Sequence, residues 1–251
     1  MATRRRGQVI DGVLLLDKPV GLSSNHALQR ARRAMDARKA GHTGTLDPFA
    51  TGLLVCCFGR ATKLSASMLE ADKAYEATLL FGQETDSGDL TGNVVKTAGP
   101  EFKGVIDSAE LEAVLPQFRG KIAQIPPMYS ALKRDGKPLY EYARQGIELE
   151  RPPREVTIHD LELLSCDGAT ARLFVRCSKG TYIRTLAQDI GQALGVYAHL
   201  TALRRTELGP FSISAAHGLE ALQQMENPLA TLLSIDSLPA EILPKKLQSE
   251  G

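Results

Sequence analysis

At 251 residues, with 43% apolar and 24% charged positions, the chain has an ordinary globular composition and enough length for one sizeable core. No apolar run approaches the ~20 residues of a membrane span, and the basic start MATRRRGQVIDG has no apolar stretch behind it, so neither a membrane partner nor a secretory signal is expected and a cytoplasmic location is. The net charge of +1 conceals segregation: residues 1–63 hold 11 Lys/Arg against 4 Asp/Glu, while residues 64–119 hold 4 against 10, so a local basic surface suits a polyanion although the protein as a whole is not strongly basic.

In chain order, GVLLLDKPVG reads as a buried strand closed by a Pro-Val-Gly turn. SSN then offers helix caps for a helix over HALQRARRAMDAR. Ala27, Leu28, Ala31, Ala34 and Met35 share one face of it, and Arg30, Arg32 and Arg33 form a basic ridge on the other. AGHTGTLDPFATG follows as a loop, then GLLVCCFG as a short apolar strand. KAYEATLLFG alternates, placing Tyr75, Ala77, Leu79 and Phe81 on one face of a strand. The acidic QETDSGDLTGNVV is a turn leading into a further short strand, and DSAELEAVLPQF is a helix broken at Pro116.

Residues 121–154, framed by prolines, mix three tyrosines with seven Lys/Arg. They read either as an arm whose aromatics and cations suit RNA or as a partly helical surface excursion with a small core of its own. ARLFVRCSKGTYIRTLAQDIGQALG is a strand, a turn and a helix with Ile183, Leu186, Ala187, Ile190 and Leu194 as its buried stripe. After Gly209-Pro210 one or two short helices are expected, and PKKLQSEG reads as an untethered end. The four cysteines lack C-x-x-C spacing and the five histidines are scattered, so buried apolar cysteines are expected, with neither a metal site nor a disulfide framework.

The loop at 40–52 poses the chemical question. Asp47 before Pro48 is either a turn opener and helix cap or an acid presented by the loop, and the local sequence leaves both open. A triphosphate cradle is excluded: no Gly-Lys-Ser/Thr follows Gly41, Gly44 and Gly52, and a central carboxylate repels phosphate. Arg184 falls in the first turn of its helix, where the macrodipole disfavours a cation by roughly 0.3–1 kcal/mol. A nearby anion, a carboxylate or a ligand phosphate, would compensate, unless the side chain simply snorkels to solvent. His42, flanked by glycine on a loop, is expected to be exposed, and Tyr75 is either a core residue or a site residue.

GVLLLDKPVGLSSN, AGHTGTLDPFATGLL, DKAYEATLLFGQETDSGD, QIPPMYSALK, LYEYARQG, CSKGTYIRTLAQDIG and LRRT follow one another in order. Together they closely resemble the bacterial tRNA pseudouridine synthases of the TruB type, over about residues 9–210. The resemblance implies an α+β pseudouridine synthase fold, with a mixed, mostly antiparallel central sheet flanked by helices and loops. It implies a catalytic domain spanning 1–251, with 121–154 as an inserted arm that closes over the RNA hairpin. It implies isomerisation of the uridine at position 55 in the T loop of tRNA by base flipping, with no cofactor, no metal and no protein partner, in a monomer. By this resemblance Asp47 is the catalytic carboxylate, Tyr75 lies against the uracil and Arg184 pairs with Asp47. His42 holds the rearranged T loop, Tyr182 and Leu203 line the pocket, and Lys18 matches the lysine of the D-K-P motif as a substrate-binding position. Only about forty residues follow Pro210, too few for the extra PUA-like RNA-binding domain common in this family, which is expected to be absent. The competing reading is a non-catalytic tRNA-binding or folding module built on the basic ridge and arm. The intact Asp47, Tyr75 and Arg184 argue against it, since binding alone needs no carboxylate facing phosphate.

Overall fold

In the computed structural model, residues 7–244 are described, so the termini read above as a basic start and an untethered end lie largely outside the described residues. The strands are β1 Gly12–Lys18, β2 Ala40–His42, β3 Thr51–Phe58, β4 Lys73–Phe81, β5 Gln83–Thr85, β6 Val94–Thr97 and β7 Gly120–Gln124, then β8 Lys133–Arg134, β9 Lys137–Pro138, β10 Arg154–Asp167, β11 Thr170–Cys177, β12 Ala198–Leu208, β13 Phe211–Ser212 and β14 His217–Gly218. The helices are α1 Ser24–Ala34, α2 Ser65–Glu70, α3 Ser108–Val114, α4 Leu139–Ala143, α5 Ile183–Ala193 and α6 Leu219–Gln224. The chain forms two compact units, one built from the residues up to Ala74 and from Arg204 onward, the other from Tyr75–Leu203. No helix of the described residues is long and apolar enough to cross a membrane.

In the first unit the strand order is β14–β1–β3–β12. β1 and β3 pair antiparallel from Gly12↔Phe58 to Lys18↔Gly52, while β14 lies parallel to β1 and Arg204–Arg205 of β12 lie parallel to Thr51–Gly52. The sheet is mixed, as expected. Both of its faces are covered, which explains why β1 and β3 read as unbroken apolar runs rather than alternating ones. Val13, Leu15, Leu53, Val55 and Cys57 pack with Met68, Phe211, Ile235 and Leu238 on one face. Leu14, Leu16, Leu54, Cys56 and Phe58 pack with Ala27, Leu28, Ala31 and Met35 of α1 and with Leu219 and Leu222 of α6 on the other. The residues after Pro210 therefore complete this core rather than trailing from it. Cys56, Cys57 and Cys177 are buried as expected and Cys166 is half-buried; burial pushes the Cys57 thiol up to about 12.

In the second unit β12 is followed by β4, β11, β10 and β7. β10 carries the unit, pairing antiparallel with β11 on one side and β7 on the other. Its charged, half-exposed sequence gave no strand signal, because only cross-strand pairing holds it extended. Residues 120–124 and 154–158 are partners in this sheet, so the arm emerges from a β7–β10 base. Beyond that base it consists of an extended stretch, the β8–β9 hairpin and the single-turn α4, with Leu139 buried and Lys133, Arg134, Lys137 and Arg144 exposed. Pro116 does stop α3: it ends at Val114 and tightens into a 3₁₀ turn.

Candidate functional site

In the first unit, the loop carrying Asp47 is held at its backbone by buried polar side chains. Ser23 is the N-cap of α1, its hydroxyl accepting from His26 N–H at 3.2 Å. The Ser24 hydroxyl turns instead toward the loop, where its Oγ accepts from Leu46 N at 2.7 Å and donates to Leu46 O at 3.0 Å. At the end of β1, the Lys18 ammonium donates to Pro19 O at 2.9 Å, Leu22 O at 2.7 Å and Pro48 O at 3.4 Å. Gly21 N donates to Pro48 O at 2.8 Å, and Ala50 N closes a turn on Asp47 O at 3.1 Å. Asp47 itself is half-buried, flanked by buried Leu46 and exposed Pro48.

Lys18 is fully buried. Burial pulls its pKa down to about 8, against an opposing pull from Asp47 and with a further push down from Arg205. The Lys18 ammonium faces inward, onto the carbonyls of its own turn and of the Asp47 loop.

Arg205 is a functional candidate that sequence reading passed over, although it stands in the LRRT motif. It is 1% exposed, and it donates from Nε to Leu53 O at 2.8 Å and from Nη2 to Gly44 O at 3.2 Å, bracketing the loop at both ends. Arg204, next along β12, points the other way and forms a forked ion pair with Asp17 at 2.7 and 3.0 Å. Two adjacent arginines on one strand must face opposite sides, but nothing in the pair says which is buried. His42 also departs from expectation. It ends β2, paired with Cys56, and is half-buried, its Nδ1 enclosed without a hydrogen-bond partner. Burial, then the Arg205 charge, lowers its pKa and so favours the neutral ring.

In the second unit, Tyr182 is the N-cap residue of α5 and Arg184 lies in the first turn. The buried Gln124 side chain binds Tyr182 through both backbone groups, accepting from its N at 3.0 Å and donating to its O at 3.3 Å. Arg184 is 4% exposed, which removes the solvent-snorkelling reading. Its Nη1 donates to Ser87 O at 2.8 Å, its Nη2 to Tyr129 O of the arm at 2.7 Å, and its Nε lies 4.0 Å from Asp89 Oδ2. Asp89 is therefore an anion beside the misplaced cation, fixed in turn by Ser87 Oγ at 2.9 Å and Thr91 N at 2.9 Å. Ser-x-Asp-x-Thr is the signal that could have revealed it, since a short acid between two hydroxyls forms a local turn. Tyr75 is half-buried on β4, with Ala77, Leu79 and Phe81 buried on the same side as expected, and Leu203 is buried on the neighbouring strand β12. The expected residues thus fall into two groups, Lys18, His42 and Asp47 in one unit and Tyr75, Tyr182, Arg184 and Leu203 in the other.

Asp189, one turn beyond Thr185 on α5, lines a cleft of about 560 Å³ between the arm and the β5–β6 hairpin. Burial and then the neighbouring Glu84 push its carboxyl up to about 6. Its folded pKa thus lies above its unfolded value, so raising the pH from about 4 to 6 ionises the unfolded chain first and stability falls across that window. Asp189→Asn is expected to flatten this fall and raise Tm at pH 7, measured by thermal melts across pH 4–7. Among the described residues no group of three or more His, Cys, Asp or Glu side chains is placed to hold a metal ion.

Comparison with known proteins bears on both units. The family described as TruB family pseudouridylate synthase (N terminal domain) matches residues 32–183, and tRNA pseudouridylate synthase B C-terminal domain matches 184–243. The chain is 70% identical over 241 residues to tRNA pseudouridine synthase B of Bordetella avium (strain 197N), covering 96% of this chain and 98% of that protein. It is 55% identical over 240 residues to the protein of the same name from Chromohalobacter salexigens, covering 95% and 77%. Among solved structures it is similar to a chain of the archaeal box H/ACA sRNP Nop10-Cbf5 complex, with a TM-score of 0.62 and 30% identity over 83% of this chain. It spans 51%, about half, of that archaeal chain.

Proposed function

The chain belongs to the TruB family of pseudouridylate synthases, and we propose that it isomerises the T-loop uridine at position 55 of tRNA to pseudouridine, in the cytoplasm and as a monomer. The reaction breaks the N1–C1′ bond, turns the uracil and joins C5 to C1′; the C5 proton is lost and N1 gains one. The target must leave its stack for a protein to reach these atoms.

Asp47 is the proposed reacting group, either as a nucleophile or as the base that removes the C2′ proton. Both roles need an ionised, fixed carboxylate. The observation that supports this most is the loop itself. The peptide groups around Asp47 are tied to Ser24, Lys18, Gly21 and Arg205, and Asp47 itself is half-buried between buried Leu46 and exposed Pro48. A turn made only to reverse the chain needs no such set of buried polar groups, each of which carries a desolvation cost.

Arg184 is assigned the positive charge at the reacting centre, Tyr75 the face against the uracil, and Leu203 the exclusion of water from the intermediate. Tyr182 is assigned to the pocket wall and His42, as a neutral imidazole, to the displaced T loop. Lys18 is assigned to holding the Asp47 loop. The basic arm and the exposed Arg30, Arg33, Arg38 and Lys39 supply phosphate contacts. The test is release of tritium from 5-tritiated uridine in a minimal T-arm hairpin and in whole tRNA. Turnover on both is the expected result; whole tRNA bound without release would leave only a binding module.

A further inference from the structure

Building on the proposed role of Asp47, we infer that Ser24 is a positioning residue for this carboxylate. Ser24 opens α1, yet the capping of that helix falls to Ser23, so the Ser24 hydroxyl is not needed to start it. It is 1% exposed and reaches 22 residues along the chain to Leu46. There it binds both polar groups of the backbone, accepting from Leu46 N and donating to Leu46 O. A hydroxyl has a single proton to donate, and this one is spent on Leu46 O.

The consequence lies one residue on. Leu46 O belongs to the peptide plane that enters Asp47, so fixing it sets the backbone direction from which the carboxylate projects. The plane that leaves Asp47 is fixed separately, by Ala50 N on Asp47 O and by the ring of Pro48. Pro48 O is held in turn by Gly21 N and Lys18 Nζ. Among the described residues no other hydrogen bond reaches the backbone of Leu46. Ser24 is therefore the N-terminal half of the clamp, and Leu46 is itself buried, so water does not readily replace the hydroxyl.

Ser24→Ala frees the 46–47 peptide plane without touching any charged group. A displacement of about 1 Å at a reacting atom costs up to about 10²-fold in rate. In single-turnover tritium release from the T-arm hairpin, kcat is expected to fall about 10- to 100-fold, with hairpin affinity within about threefold of the parent. Ser24→Thr keeps the hydroxyl and is expected to regain most of the rate. A purely structural serine would give a different pattern: a lower Tm, with parental kcat at temperatures where the variant is folded. That pattern would overturn the assignment, as would equal losses in rate and affinity that threonine does not repair. Asp47→Asn run alongside separates the two levels: if it still turns over, the function proposed for Asp47 fails. If it is inactive while Ser24→Ala keeps the parental rate, only the role of Ser24 fails.

Discussion

Replacing Asp47 with asparagine is expected to lower tritium release from 5-tritiated uridine by more than about 10³-fold while T-arm binding stays within about twofold. The two side chains have nearly the same shape, and the hydrogen bonds that anchor the loop at the backbone groups of Gly44, Leu46, Pro48 and Leu53 do not depend on the charge of residue 47. The loop should therefore keep its course. What is lost is the negative charge, and with it both the nucleophile and the base. Lys18 provides a second effect of known sign. Asp47 holds the Lys18 pKa up against burial and the Arg205 charge, so in the variant it is expected to drop below about 8. Rates within tenfold of the parent would remove Asp47 from the chemistry.

Gly52→Ala is expected to destabilise the fold by more than about 3 kcal/mol, a fall in Tm of about 6–12 °C at this chain length. Gly52 has φ +101°, and a Cβ there would collide with Arg205 O and lie 2.7 Å from Arg205 N, both backbone atoms of the strand paired with it. No rotamer relieves such a contact; β3 and β12 must move apart. Since the Arg205 side chain holds Gly44 and Leu53, the loop of Asp47 moves with them, and activity should fall with stability. Gly21→Ala is the comparison. Its φ is +84°, but nothing lies within 4 Å of the added carbon, so only the backbone term of about 1 kcal/mol remains. Equal melting temperatures for the two variants would contradict the close approach at Gly52.

Much of the frame was legible because each element has a local cause. The doubly covered strands β1 and β3 announce themselves as apolar runs, α1 and α5 as apolar stripes, and α3 as a helix ended by proline. The strand β10 was not legible, since charged and exposed residues interrupt its apolar ones and its extension is supported by pairing with β7 and β11. The site divides along the same line. The acid in a glycine-rich loop and the cation in the first turn of a helix are visible as local oddities, and the run of family motifs supplied the roles proposed for them. The groups that hold them in place are not visible. Ser24 looks like a second helix cap until its hydroxyl is found on Leu46, and Arg205 looks like a surface arginine until β12 turns it inward. Asp89 looks like one more acid in a turn-rich loop until Arg184 is found buried beside it. Long-range hydrogen bonds to backbone leave no periodicity in the sequence, which is why candidate residues stood out before the scaffold that holds them.

The most direct test of the proposed activity is the identity of the product. A T-arm hairpin with uridine at the position equivalent to 55 is incubated with stoichiometric protein, digested to nucleosides and separated by chromatography with mass detection. The expected result is loss of that one uridine and appearance of a nucleoside of the same mass, eluting as the C-glycoside, with the other uridines unchanged. An unaltered uridine in a hairpin shown to be bound, or conversion at a different uridine, would contradict the proposed isomerisation.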